Sequence, residues 1–361
     1  MTAAFNFNAG PAMLPPPVLE RVRGELLDFH GTGMSIMEMS HRSKEYEAVN
    51  AGAEATLKRL LGVGDGYRVV FVQGGASTQF AMVPMNFLPP GRSADFLMTG
   101  AWAEKAYEEA SALGQARVAA STKHDGYRRV PRPDKIALGD GSAYVHLTSN
   151  ETIQGIQWQS FPDVGGRPLV ADMSSDILSR PFDASRFALV YAGAQKNLGP
   201  SGVTAVLIRE SWLASANKNV PTMLRYATHV KNNSLYNTPP SFGVYVLGLV
   251  LQWIEGLGGL AAMAERNAAK ARLVYDAIDK SGGFYRGHAE PGSRSLMNVT
   301  FRLPSEVKEK QFVTESQAAG MVGLAGHRSV GGIRASLYNA VPAEACRALA
   351  SFMDEFARRN G

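Results

Sequence analysis

Four short segments carry side chains that could act together on one small molecule. The first is the apolar run Val69–Gln73 followed by Gly74-Gly75-Ala76-Ser77-Thr78. Small residues there let backbone N–H groups close on an anion, and the helical pattern that follows would add about half a positive charge at its N-terminus. This suits a phosphate, and it is not a nucleotide P-loop, because no Gly-Lys-Ser/Thr follows. The second is Trp102, just beyond the run Asp95–Met98, whose indole can stack on a flat ring. The third is Asp172, which closes the apolar stretch PLVAD. A carboxylate at the edge of a low-dielectric interior calls for a cationic partner, and a protonated ring nitrogen would serve. The fourth is Lys196 in YAGAQKNLGPSG. An amine behind an apolar strand, among small residues, can lose its charge and become a nucleophile. Each segment also has a plain structural reading: a tight strand-to-helix turn, a large core side chain, a helix N-cap or turn aspartate, an exposed turn lysine. Together they offer a phosphate cradle, a stacking ring, an acid for a ring nitrogen and an amine for an aldehyde. Those are the contacts that pyridoxal phosphate requires.

A site made from strand ends needs a parallel sheet to carry it, because ligands of open α/β sheets bind beyond the carboxyl ends of the strands. Apolar runs at 68–72, 95–98, 143–147, 168–171, 187–192 and 203–208 alternate with helical patterns. That alternation predicts an α/β fold, a largely parallel sheet covered by helices. Helices are also predicted from Pro17 to about residue 27, and over about 44–62, 241–255 and 260–280. The texture then changes to strands at 295–302 and 332–337 with helices at 308–324 and 342–359, a smaller α+β unit. The expected division is an N-terminal segment 1–16, a large cofactor-binding domain 17–258 and a small domain 259–361.

Composition sets the outer bounds. The 361 residues include 37 basic and 32 acidic side chains, a net charge of +5, with 45% hydrophobic and 19% charged residues. These are globular values. One cysteine, Cys346, leaves no intrachain disulfide and no thiolate zinc site, and no metal is expected. The first residues lack a basic patch followed by an apolar stretch, and the most apolar run, Gly243–Leu251, is far short of the roughly 20 residues that span a bilayer. A soluble, cytoplasmic protein is expected, without a membrane partner. The densest basic clusters are pairs such as Arg128-Arg129 and Arg358-Arg359. Nucleic-acid surfaces concentrate charge more than that, so the basic excess is read as serving an anionic small molecule.

Several longer segments carry a resemblance. They are FNFNAGPAMLP (5–15), SHR (40–42), GGASTQF (74–80), NETIQGI (150–156), YAGAQKNLGPSG (191–202), YNTPP (236–240) and GHRSVGGIRASLYNA (326–340). On these the chain resembles, end to end, the phosphoserine aminotransferase family of class-V, fold-type-I pyridoxal-phosphate aminotransferases. The resemblance implies that Lys196 forms the Schiff base, Asp172 pairs with the ring nitrogen and Trp102 stacks on the ring. It implies that Ala76, Ser77 and Gln195 hold the cofactor phosphate and that Thr152 bonds the ring hydroxyl. It further implies a homodimer with shared sites, in which Asn237 and Thr238 reach the neighbour's cofactor phosphate. Some members carry Gly-Gly-Gly-Arg at the cradle where this chain has Gly74-Gly75-Ala76-Ser77, a departure that bears on the exact phosphate contacts and not on the cofactor.

Two His-Arg pairs, His41-Arg42 and His327-Arg328, and Arg334 nearby suit a substrate with two anionic groups, since the guanidinium fork binds oxygens in pairs. The resemblance implies that Arg334 holds the α-carboxylate and that His41, Arg42, His327 and Arg328 read a distal phosphate or the glutamate side chain, the 41–42 pair coming from the partner subunit. The implied reaction is reversible transamination between L-glutamate and 3-phosphohydroxypyruvate in serine biosynthesis, with a phosphorylated hydroxythreonine of pyridoxine synthesis as a second substrate. The alternatives are a class-V aminotransferase for unphosphorylated substrates, such as serine–pyruvate or alanine–glyoxylate, and a cysteine desulfurase. Against the last, Cys346 falls in a predicted C-terminal helix rather than on a loop. GLGGLA (256–261) follows a helical pattern rather than a strand and is read as a helix break. The histidines 124, 146 and 288 lack metal-ligand spacing and are read as structural or surface residues.

Overall fold

A computed structural model of the chain describes residues 4–361. Residues 1–3 of the expected N-terminal segment lie outside the described residues.

The centre is a seven-stranded sheet. Its strands, in spatial order, are Tyr67–Val72, Thr204–Arg209, Leu189–Gly193, Leu169–Asp172, Val145–Thr148, Ser93–Met98 and Gln115–Ser121. Thr204–Arg209 runs antiparallel to both neighbours, and the other pairs are parallel. Six strands therefore point their carboxyl ends the same way. The mostly parallel α/β fold expected from the sequence is the one observed. The edge strand Gln115–Ser121 is not among the strands expected from the sequence.

The apolar runs are continuous because both faces are covered. Val69, Phe71, Leu147, Ala171, Val190 and Leu207 face one core, with the helices Lys44–Leu61 and Ser241–Gly256. Val70, Val72, Phe96, Val170, Tyr191 and Val206 face the other, with the helices Gly75–Phe87 and Ala101–Leu113. The helix Lys44–Leu61 shows why the pattern is legible. Ser43 caps it by accepting from Tyr46 N, Glu45 and Glu47 lie in its first turn, and Gly62 ends it at φ 65°.

The helix break expected at 256–261 is a bend of 84° between Ser241–Gly256 and Gly259–Asp279, with Gly258 at φ 99°. No single helix among the described residues is long and apolar enough to cross a membrane. The second helix begins in the sheet core (Leu260, Met263) and ends in a third core (Ala271, Val274, Ile278). That third core belongs to the antiparallel strands Arg286–Gly287, Asn298–Arg302 and Ile333–Ser336 with the helices Glu306–Ala318 and Ala343–Asn360. Phe7 is fully buried in it, and Phe5–Asn6 pairs in parallel with Met321–Val322. The predicted helix 308–324 stops at Ala318 because residues 321–322 are taken up by this pairing. Cys346 is fully buried in the last helix.

His146 sits in the middle of the sheet, 3% exposed, with Nε2 2.8 Å from the Tyr191 hydroxyl and Nδ1 without a partner. Burial drives its pKa down to about 3. The folded state thus holds it neutral, whereas an unfolded chain protonates it below about 6.5. The stability it contributes is full above that pH and is lost as pH falls towards 3. Between pH 7 and pH 4, wild type should lose melting temperature faster than His146→Gln, so the gap between them narrows. Parallel melting curves across that range would refute this.

Candidate active site

Lys196 follows the strand Leu189–Gly193 in a loop anchored by its neighbours rather than by its own side chain. Asn197 Nδ2 donates to Ile177 O at 3.1 Å, and Asn197 Oδ1 accepts from Asn339 N at 3.0 Å. Gln195 O accepts from Ala12 N at 2.8 Å. The stem of Lys196 lies against Gly10, where an added Cβ would stand 3.7 Å from Lys196 Cγ. The lysine is half-buried, and its Nζ lies 5.6 Å from the centre of the Trp102 ring. Burial lowers the amine's pKa, the carboxylates of Asp172 and Glu151 oppose that, and Arg334 adds to the lowering. A buried amine facing carboxylates can hold or release a proton with little rearrangement.

Asp172 ends the Leu169–Asp172 strand beside Thr148 and Tyr191, and is 5% exposed. Its Oδ1 accepts from Ser174 N at 2.9 Å. Burial raises its pKa, while the charge of Lys196 and the bond from Ser174 pull the other way. The carboxylate is therefore short of cationic partners.

Trp102 lies in the first turn of Ala101–Leu113 and is half-buried. Its Nε1 donates to Thr152 Oγ1 at 2.9 Å, and Thr152 O accepts from Arg334 Nη1 at 3.3 Å. Arg334 Nε is buried without a partner. Trp102, Thr152 and Arg334 thus form one hydrogen-bonded chain, and the charges of Asp172, Glu151 and Arg334 act on the Lys196 amine.

Ala76 and Ser77 open the helix Gly75–Phe87, which no side chain caps. Gly74 and Gly75 take φ of 93° and 65°, and a Cβ on Gly74 would collide with Thr78. This turn leaves the first amides without intrahelical partners, an arrangement suited to an anion. At the other end, Arg334 borders a cavity of about 220 Å³ with His327, His288 and Gln154. His327 Nδ1 accepts from Ser329 N at 3.3 Å and lies 2.7 Å from its hydroxyl, which puts the ring proton on Nε2. Burial first, then Arg334, Arg328 and Lys105, lower the His327 pKa.

The other expected site residues sit on further segments of the chain. His41 and Arg42 occupy the turn before Lys44–Leu61, and no hydrogen bond among the described residues ties them to the Lys196 group. His41 Nε2 is buried without a partner. Asn237 and Thr238 lie near Gln73, whose Nε2 donates to Thr238 O at 3.4 Å.

Glu151 has no role among those expected from the sequence. It is fully buried and accepts from the backbone of Trp102 and Ala103. Burial raises its pKa to about 7 against the pull of those two N–H groups. A lone acid between Asn150 and Thr152, just past an apolar strand, was the available signal.

A model of the family described as aminotransferase class-V matches residues 4–349. The chain belongs to the class-V aminotransferase family. Within it, the chain is 63% identical to a phosphoserine aminotransferase of Herpetosiphon aurantiacus over 99% of each. A solved phosphoserine aminotransferase from Bacillus circulans subsp. alkalophilus superposes with TM-score 0.98 at 61% identity, covering 100% of each chain. A pyridoxal-phosphate-bound phosphoserine aminotransferase from Trichomonas vaginalis gives 0.93 at 40% identity over 97% of this chain and 99% of that one. The geometry brings Lys196, Asp172, Trp102, Thr152 and Arg334 of this class-V aminotransferase to one place.

Proposed function

We propose that this chain is a phosphoserine aminotransferase that binds pyridoxal phosphate and exchanges the amino group between L-glutamate and 3-phosphohydroxypyruvate, giving O-phospho-L-serine and 2-oxoglutarate. The observation that carries this is identity above 60% over the whole chain with proteins of that name. The residues fit the cofactor: an uncapped helix start behind two glycines for its phosphate, a buried acid short of cations for its ring nitrogen, and an indole beside the amine. When bound, pyridoxal phosphate supplies the electron sink for the pair left at the substrate's Cα.

The chain's own groups do the rest. The uncharged Lys196 Nζ takes the Cα proton and later returns one. Asp172 keeps a proton on the ring nitrogen, a stabilisation realised chiefly in the transition state. Trp102, tethered by Thr152, holds the ring face, and the Thr152 hydroxyl remains able to donate. The guanidinium of Arg334 orients the α-carboxylate. Ala76, Ser77 and Gln195 hold the cofactor phosphate.

We assign His41, Arg42, Asn237 and Thr238 to the site of a second copy in a homodimer. Supporting this, no hydrogen bond among the described residues ties them to the Lys196 group, and Leu27 (85% exposed), Met34 and Met37 leave apolar surface in the segment leading to the 41–42 turn. His327 and Arg328, with that second His-Arg pair, then receive the phosphate or the glutamate side chain. The same groups fit the phosphorylated hydroxythreonine of pyridoxine synthesis. We place the enzyme in the cytoplasm, and divide it at Gly258 into a large and a small domain, where the helix pair bends.

Steady-state kinetics with and without the substrate phosphate test this reading. Hydrogen bonds to charged groups contribute about 1.5–3 kcal/mol each, so losing the phosphate should lower kcat/KM by at least about a hundredfold. Equal kcat/KM for 3-phosphohydroxypyruvate and hydroxypyruvate would favour an unphosphorylated substrate instead.

A further inference from the structure

We propose that Glu151 is a positioning residue for the cofactor's stacking face, holding Trp102 in place through the backbone of the helix that carries it. This rests on the reading that the site takes pyridoxal phosphate.

The helix Ala101–Leu113 starts at Gly100 with no side-chain cap of its own. Its first amides need acceptors. They find them in a segment some fifty residues further along the chain. Glu151 Oε2 accepts from Trp102 N at 3.0 Å, and Oε1 accepts from Ala103 N at 2.9 Å and from the Thr99 hydroxyl at 3.4 Å. A serine or asparagine at the cap position would satisfy such amides without burying a charge. Burying a carboxylate is costly, so stability alone does not account for a remote acid here. Glu151 adds a tie between two walls of the site. The next residue, Thr152, accepts from the indole Nε1 of the same tryptophan at 2.9 Å. The Glu151-Thr152 pair therefore grips Trp102 at its main chain and at its ring tip. The preceding Asn150 anchors that pair, donating through Nδ2 to Ser175 Oγ and Asn298 Oδ1, each at 2.8 Å. The fit is close: a Cβ on Gly100 would stand 2.6 Å from Glu151 Cδ. Fixing a residue's main chain and side chain from one rigid strand end is how a stacking ring is kept in register with its ligand.

A double-mutant cycle tests this. Pyridoxal phosphate is titrated into apoprotein of wild type, Glu151→Gln, Trp102→Ala and the double variant. Visible absorbance reports binding, and visible circular dichroism at saturation reports ring orientation. Glu151→Gln should weaken binding about tenfold, which is about 1.4 kcal/mol. In the Trp102→Ala background the same change should have less than about a twofold effect. The dichroism per bound cofactor should fall in Glu151→Gln even when the site is full, which a loss of stability alone would not cause. Additive effects, or unchanged dichroism, would overturn the proposal while leaving the cofactor reading intact. A wild type that gains no Lys196-dependent visible band would overturn both. If Glu151→Gln does not fold, Gly100→Ala displaces the same carboxylate and enters the same cycle with the same expectations.

Discussion

Replacing Lys196 with alanine should lower steady-state turnover of L-glutamate with 3-phosphohydroxypyruvate by at least about a thousandfold, within the range attributed to a positioned general base. The side chain makes no structural anchor. Its loop is held by Asn197 on Ile177 and Asn339, and by the main chain of Gln195 on Ala12. The variant should therefore fold while losing the amine proposed to move the Cα proton and to bond to the cofactor's aldehyde. Borohydride reduction of the coloured wild-type protein, followed by peptide mapping, should mark Lys196. Near wild-type turnover in the variant, or a label on another lysine, would refute the assignment.

Asp172→Asn should lower kcat by about a hundredfold to a thousandfold, the scale of removing one preorganised electrostatic partner. Asparagine keeps the volume and an Oδ1 acceptor for Ser174 N, so what is withdrawn is charge. In the proposed mechanism that charge is what would keep a proton on the cofactor's ring nitrogen. A second consequence follows for the amine. The Lys196 pKa is lowered by burial and by Arg334, and raised by Asp172, Glu151 and Asp176. Removing the first-named of these three carboxylates favours the neutral amine, so in the apoprotein the pH dependence of Lys196 labelling by an amine-selective reagent should move to lower pH. A variant with full kcat and an unmoved titration would remove Asp172 from the mechanism.

The site was legible where chemistry depends on residue type at a strand end. Asp172, Lys196, Trp102 and the Gly74–Thr78 turn each follow an apolar run, and both the runs and the ends are local features. Glu151 was not legible in this way. Its importance comes from meeting the helix that begins at residue 101, and no periodicity joins segments fifty residues apart. The strand Gln115–Ser121 escaped for a different reason. It lies at the sheet edge with most of its residues exposed or half-exposed, so it needs no apolar run to be stable there. The His-Arg pairs were legible by type, but which of them serves a given site depends on a second chain.

The way the chain's beginning is used bears on how the protein is made. Phe5–Asn6 pairs with Met321–Val322, Phe7 fills the core of the small unit, and Ala9 O accepts from the Tyr338 hydroxyl at 2.8 Å. During synthesis at about 5–20 residues per second, the first strand waits roughly 15–60 s for its partner to leave the ribosome. Until then Phe7 has no native core to enter, and the segment beside Lys196 that includes Gly10 cannot settle. The loop that carries Lys196 is thus completed from the front only after residue 338 has been translated.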